Sequence, residues 1–425
     1  MAQTSSSTAS ARATTATYAA FIAAGFLTAT WAGRIPQLKE ALGLDSGTWG
    51  LVLLSMAAGS VSALPSAGAI INKLGAKWAV RTFSTLSGLA MVGIGFGYLV
   101  GVLPVVISLY LMGFGLGVWD VAMNVQAAQV ERALGRTIMA RFHAGYSVGT
   151  VAAALVGAAL IAVGFPIWAH LAIVGVGLAA IVFYSVRNFL PEDTTVSTPQ
   201  VGTDTLADPA DVQDVQAVPK KTFLQIWSEP RTLAIGLFVL VFAFAEGTAI
   251  DWIGLGLIED HGTKAAYGTL GLAVFLATMT LTRWFGNGLL DRYGRVPVLR
   301  GLAAMTLIGV LVFVLAPTSG LAFLGAAIWG IGASLGFPVG MSAGGDDPAN
   351  AAMRVSVVAS VGYVAFLGGP PLVGLLAEHF DVLHAMLVVA AVTPVGFFLA
   401  TFLREPKRDV ASLVEGGTSG VADAK

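Results

Sequence analysis

A chain of 425 residues with 56% hydrophobic and only 11% charged positions cannot cover its outside with polar groups, because an ordinary soluble domain is roughly 25% charged. A net charge of −1 excludes the basic surface that a nucleic-acid partner requires. With no cysteine and no paired ligand spacing among His143, His170, His261, His379 and His384, neither a disulfide framework, a metal site nor a cofactor is expected, and lipid is the solvent the composition implies.

The chain opens with "MAQTSSSTASARATTATYAA", rich in Ser, Thr and Ala, and residues 1–16 are expected to be disordered. The apolar run that follows continues past any plausible cleavage site, so it reads as a first membrane span rather than a signal peptide. A spanning helix needs about 20 mostly apolar residues. Charge-free stretches at 82–119, 142–186 and 301–345 each hold two helices, divided near "GVLP", "VGFP" and "APTSG". With the single runs this predicts twelve spans, at 17–37, 47–72, 77–100, 104–129, 139–163, 166–188, 230–258, 265–290, 296–316, 319–343, 351–378 and 381–403. The acidic, weakly apolar segment 191–221 cannot bury enough surface to fold. It lies in a linker at 190–229 that separates six-helix bundles at 17–189 and 230–403, and residues 404–425 form a tail.

Lys and Arg set the orientation. If the N-terminus is inside, three of the 23 (Arg34, Lys39 and Lys264) lie outside, Arg283 lies within a span, and the other nineteen lie in the cytoplasm. Both termini are therefore expected to be cytoplasmic, in a multi-pass protein of the cytoplasmic membrane.

The two halves also repeat. "GAIINKLGAK" at 68–77 pairs with "NGLLDRYGR" at 287–295, and "LMGFGLG" at 111–117 pairs with "IWGIGAS" at 328–334, at offsets of 219 and 217. A parallel internal repeat is an arrangement of secondary transporters. At this point the chain resembles the major facilitator superfamily over essentially its whole length. Asp291, Arg292, Gly294 and Arg295 match the family's loop motif Gly-x-x-x-Asp-Arg-x-Gly-Arg, whereas the first-half copy has Asn72 at the acidic position. The resemblance implies an all-α membrane fold of two pseudo-symmetric six-helix bundles. It also implies that Asp291 and Arg292 latch one conformation, an anion being favoured near a helix N-terminus. "DVAMN" in span 4, "RFHAGYSVG" in span 5 and "AEGTAIDW" in span 7 resemble the fucose-permease-like branch and related bacterial members. Span 4 lacks an embedded Arg, and span 5 lacks the Gly-Pro pair of antiporters. "GGPPLVG" at 368–374 brings small residues and a bend to span 11.

In that family the first and fourth helices of each half-bundle repeat line the cavity, here spans 1, 4, 7 and 10. Three carboxylates fall on those spans: Asp120, Glu246 and Asp251. Ionising a carboxylate in lipid costs several kcal/mol, so such residues mark pathways. Glu246 and Asp120 are the candidates for proton coupling, with His143 as a relay because an imidazole titrates near neutrality. A structural hydrogen bond or ion pair is the alternative for each. Arg34 at the outer end of span 1 and Asp251 are expected to pair as an outer gate. Arg283 needs a carboxylate or carbonyl, with Glu246 one possibility. Trp31, Trp119, Trp252 and Trp329 place one indole on each cavity helix and could stack on a solute, to which Asn124 and Gln126 could offer amides; interface anchoring is the other reading of the indoles.

These features point to a secondary transporter that moves a small organic solute by alternating access, proton-coupled and closer to sugar-like symport. Proton-antiport efflux of drugs or metabolites is the alternative. No nucleophile arrangement or phosphate-cradling loop suggests an enzyme. The expected partners are solute, protons and lipid, with the protein acting as a monomer.

Overall fold

The computed structural model describes residues 2–135, 138–191, 222–347 and 350–405, among which no strand occurs. The first half contains α1 (Ala2–Ala32), α2 (Ile35–Leu42), α3 (Ser46–Leu74), α4 (Ala76–Gly97), α5 (Val102–Leu134), α6 (Met139–Ala162) and α7 (Ile167–Ser185). The second contains α8 (Phe223–Trp227), α9 (Pro230–Glu259), α10 (Ala265–Tyr293), α11 (Arg295–Leu315), α12 (Ser319–Ala333), α13 (Gly336–Gly344), α14 (Ala351–His379), α15 (Val382–Ala385) and α16 (Leu387–Leu399). The expected linker, apart from its ends, and the tail beyond 405 lie outside the described residues.

Among the described residues eleven helical segments are long and apolar enough to cross a membrane, and α1 supplies the twelfth. Its polar composition hides it: Thr14, Thr17, Thr28 and Thr30 each return the hydroxyl to the carbonyl four residues earlier. That local bond satisfies the hydroxyl within the helix. It also explains a difference from expectation, because α1 begins at Ala2 rather than near 17, with Ala13, Ala16 and Thr17 buried against the bundle.

The repeat extends to the backbone. Gly75 ends α3 at φ 81° and Gly294 ends α10 at φ 78°, two positions separated by the 219-residue offset of the sequence repeat. Both occupy the left-handed region that glycine tolerates, so the two loops turn alike. Helix contacts repeat as well. α1 packs on α5, α6 and α7 as α9 packs on α12–α13, α14 and α16, while α3·α5, α4·α5 and α4·α7 correspond to α10·α12, α11·α12 and α11·α16. The halves meet through α3·α14 and α6·α10, which are themselves a symmetry-related pair. Close approach there and within each half relies on residues without side chains, Gly113 lying against Met56 and Gly59 against Tyr110 where α3 crosses α5.

Span 10, expected as one helix over 319–343, is broken into α12 and α13 at Ser334 and Leu335. Pro338 has no N–H to offer the carbonyl four residues earlier, and that carbonyl belongs to Ser334.

Two ends of the molecule can be distinguished: a termini face, where α1 begins and α16 ends, and an α2 face opposite. Every hydrogen bond or ion pair found between described residues of different halves lies at the α2 face. Lys39 on α2 meets Glu259 at the end of α9 at 2.6 Å, Thr269 on α10 donates to the Gly33 carbonyl at 2.8 Å, and the Glu378 side chain on α14 comes near Asp45. Asp45 also caps α3, accepting the Thr48 N–H at 2.7 Å, which holds its carboxyl below the ordinary value.

Candidate functional site

The groups that matter sit midway along the helices, between the halves. Asp120 lies 18 residues into α5, ~27 Å from the α2-face end at 1.5 Å per residue. Glu246 lies 13 residues from the end of α9, ~20 Å from the same face. Asp120 and His143 are exposed although they belong to buried-type helices, and Asn124 is half-buried. Asp120 is within electrostatic reach of Tyr146 on α6 and, across the cleft, of Tyr363 on α14. Tyr146 is also in reach of Glu246 and Arg283. An open space of this kind is a vestibule between the bundles.

On the first-half wall the helical spacing of four residues puts Asn124 on the Asp120 face. Asn124 Nδ2 donates to the Asp120 carbonyl at 2.9 Å and approaches Oδ1 at 3.4 Å, and His143 Nε2 meets Asn124 Oδ1 at 3.2 Å. Tyr146 donates to Thr28 Oγ1 at 3.4 Å. These are neutral, adjustable contacts.

The opposite wall is held more firmly. Arg283 Nη2 donates to Glu246 Oε2 at 2.7 Å, with the two side chains 27% and 18% exposed. The same guanidinium donates through Nε to the Ser334 carbonyl at 2.8 Å. The carbonyl released by Pro338 is thus taken by Arg283, and the break in span 10 becomes an anchor for the ion pair. A charge-assisted bond of this length in a restricted space is a strong one.

The other expected site residues lie elsewhere. Trp119, Trp252 and Trp329 have no exposed surface and Trp31 only 2%, so none of these four indoles presents a ring face to the vestibule. Trp329 meets Phe275 and Phe313 edge-on, and Trp31 lies 6.3 Å from Trp49. The rings fill helix–helix interfaces, as large apolar surfaces do. Gln126 is also buried, since six residues carry it about 240° around α5 from Asp120. The expected Arg34–Asp251 pair is absent. Arg34 is buried and committed to His170 Nδ1 at 3.0 Å, Gln37 Oε1 at 2.8 Å and the Phe165 carbonyl at 3.0 Å. Asp251, ~12 Å from the α2-face end of α9, has no hydrogen bond or ion pair with any described residue. At the termini face Asp291 and Arg292 are exposed and form no ion pair among the described residues. There the motif residue that is engaged is Arg295, which donates to both oxygens of Asp346 at 2.8 Å.

Sequence reading missed the Lys39–Glu259 bond, whose partners are 220 positions apart with no spacing rule to link them. It also missed Tyr146 and Tyr363. Pro338 was a legible signal for the break at Ser334.

The fold and the site define a multi-pass membrane protein built of two repeated helical bundles around a polar cleft. Residues 16–343 and 243–423 match the family model of the Major Facilitator Superfamily, and the chain belongs to that family of transporters. It is 32% identical to an uncharacterized MFS-type transporter of Yersinia pestis, with 84% of this chain and 87% of that protein aligned. Among solved structures it is similar to a nucleoside transporter, NupG, at TM-score 0.68 and 15% identity, covering 91% of this chain and 98% of the other. It is also similar to the E. coli fucose:proton symporter FucP (N162A), at TM-score 0.62 and 16% identity, covering 92% and 98%.

Proposed function

We propose that this protein is a proton-coupled transporter of a small organic solute, with both termini in the cytoplasm and six-helix bundles at 17–189 and 230–403 rocking about the cleft. The observation that carries the reading is the Glu246–Arg283 pair opposite Asp120, Asn124 and His143, in a vestibule where the bonds between the halves found among the described residues lie at the α2 face. With cytoplasmic termini, that vestibule opens inward. A proton on Glu246 removes the charge that holds Arg283 and loosens α10 from α9, while Asp120 and His143 provide a second proton-accepting group on the facing wall. Asn124 offers its amide to solute hydroxyls. The Lys39–Glu259 bond serves as the outer gate in this conformation, with Asp251 behind it. Asp291 and Arg292 act in the opposite conformation, once the termini face closes.

The likeness to a fucose:proton symporter and a nucleoside transporter, both of hydroxyl-bearing solutes, supports sugar-like symport. Proteoliposomes with an imposed pH gradient test it. Addition of a transported solute should alkalinise the medium on the side of addition, whereas efflux by antiport moves protons the other way. Glu246→Gln should abolish pH-driven uptake and retain solute exchange. Unchanged pH-dependent flux in both Glu246→Gln and Asp120→Asn would remove these residues from coupling.

A further inference from the structure

Charge balance inside the membrane narrows the solute. Away from helix ends, the spans carry four formal charges: Asp120, Glu246, Asp251 and Arg283. The stretches 13–33 of α1, 46–72 of α3, 142–186 of α6 and α7, 301–345 of α11 to α13 and 355–377 of α14 contain no Asp, Glu, Lys or Arg. His143 is the one imidazole among the vestibule groups described above, and it faces Asn124. The one cation is already committed to Glu246 and the Ser334 carbonyl, so Asp120 in the vestibule has no cationic partner among the described residues.

An anionic solute would have to take Arg283 from Glu246, leaving that carboxylate without its countercharge. A neutral solute leaves the excess negative charge in place. A protonated amine reduces it. Asp120 is the carboxylate positioned for this: it is exposed to the vestibule, Asn124 holds only its Oδ1, and Oδ2 has no partner among the described residues. Across the cleft Tyr363, half-buried and within electrostatic reach of Asp120, brings an aromatic ring of the kind that attracts an ammonium, with the Phe366 ring 6.1 Å from it. We infer that the solute is an amine-bearing, hydroxylated small molecule whose ammonium sits on Asp120 Oδ2 while Asn124 and the tyrosine hydroxyls take its hydroxyls. This deepens the transport reading and rests on it.

The absence of cysteine allows a single introduced thiol to report occupancy. Ser360→Cys places one on α14 a turn before Tyr363, at an exposed position. Its modification by uncharged N-ethylmaleimide is measured in the full chain in membranes against D-glucosamine, D-glucose and D-glucuronate. Glucosamine should protect at a concentration at least about tenfold lower than glucose, a difference of ~1.4 kcal/mol, with glucuronate weakest. Asp120→Asn should bring glucosamine to the level of glucose, and Asp120→Glu should keep the preference, which guards against a folding defect. Equal protection by the three sugars, preference for glucuronate, or no protection by glucosamine at about 10 mM, well above usual KM values, overturns the inference. Labelled-solute exchange in proteoliposomes separates the two claims. Amine-selective protection without any flux would sink transport and leave the amine site, whereas pH-driven flux of glucose with no amine preference would do the reverse.

Discussion

The two half-bundles are alike in backbone and unlike in chemistry. Gly75 and Gly294 turn in the same way, and the principal helix contacts of one half recur in the other, the packing of α9 on α10 excepted. Yet the first half presents Asp120 on an unbroken α5 with only neutral partners, while the second presents an ion pair fastened to a broken span 10. Repetition carries the packing, in which small residues at crossings decide how closely helices approach. Charges are placed one at a time, and the proposed coupling rests on that departure from symmetry.

A series of substitutions would break or sharpen this contrast. The largest effect should follow Glu246→Ala, which leaves Arg283 with one partner and an unbalanced charge. Loss of one partner of a buried pair costs ~3–5 kcal/mol, and the partial exposure here reduces the expectation to about 2 kcal/mol. Thermal unfolding in detergent reads it, and a Glu246→Gln/Arg283→Gln double variant should recover most of the loss. Asp120→Ala, which breaks only an adjustable contact, should stay within about 0.5 kcal/mol of the parent. A comparable loss in both variants would show the walls to be equally rigid.

Pro338→Ala should come next. It restores an N–H to the Ser334 carbonyl, so α12 and α13 can join and Arg283 Nε must compete for its acceptor. The expected coupling between Pro338→Ala and Arg283→Gln is about 1 kcal/mol in a double-mutant cycle, and additivity would show that the break does not anchor the guanidinium. At the α2 face, Lys39→Ala removes an ion pair whose side chains are 10% and 36% exposed. Such partly screened pairs contribute up to ~1 kcal/mol, enough to raise the population open at that face a few-fold. A cysteine replacing the buried Ala32 should then label correspondingly faster.

The smallest effect concerns Asp45. Loss of this cap in Asp45→Ala should lower the melting temperature slightly at neutral pH. Because the folded-state pKa is lowered, chiefly by the Thr48 backbone N–H, the ionised cap stabilises above the unfolded value. That contribution fades as pH falls below about 4 toward the folded value. The difference in melting temperature between parent and variant should narrow over that range.

Much of this was legible in the sequence because membrane spans are a problem of length and polarity. The repeat offset was readable from Gly75 and Gly294, and Asp120 and Glu246 stood out against charge-free runs. What could not be read was partnership. Arg34 and Asp251 are both near one face of corresponding helices, yet His170 and the Phe165 carbonyl, more than 130 residues away in sequence, claim the guanidinium. The tryptophans were assigned to the vestibule because their helices line it, but a helix has several faces, and Trp119 is about 100° around α5 from Asp120. Composition also misplaced the start of α1, since hydroxyls bonded within their own helix still count as polar in a sequence.

The seam between the halves is two helix pairs, α3 with α14 and α6 with α10, that map onto each other under the molecule's pseudo-twofold. In the proposed rocking, bodies on such a paired bearing would behave as levers: as their ends drew apart on one side of the membrane they would be driven together on the other. A continuous leak would therefore require a helix to bend away from its own bundle rather than a wider swing. The bundles' internal stiffness, more than any single bond at a mouth, is then what keeps the membrane sealed.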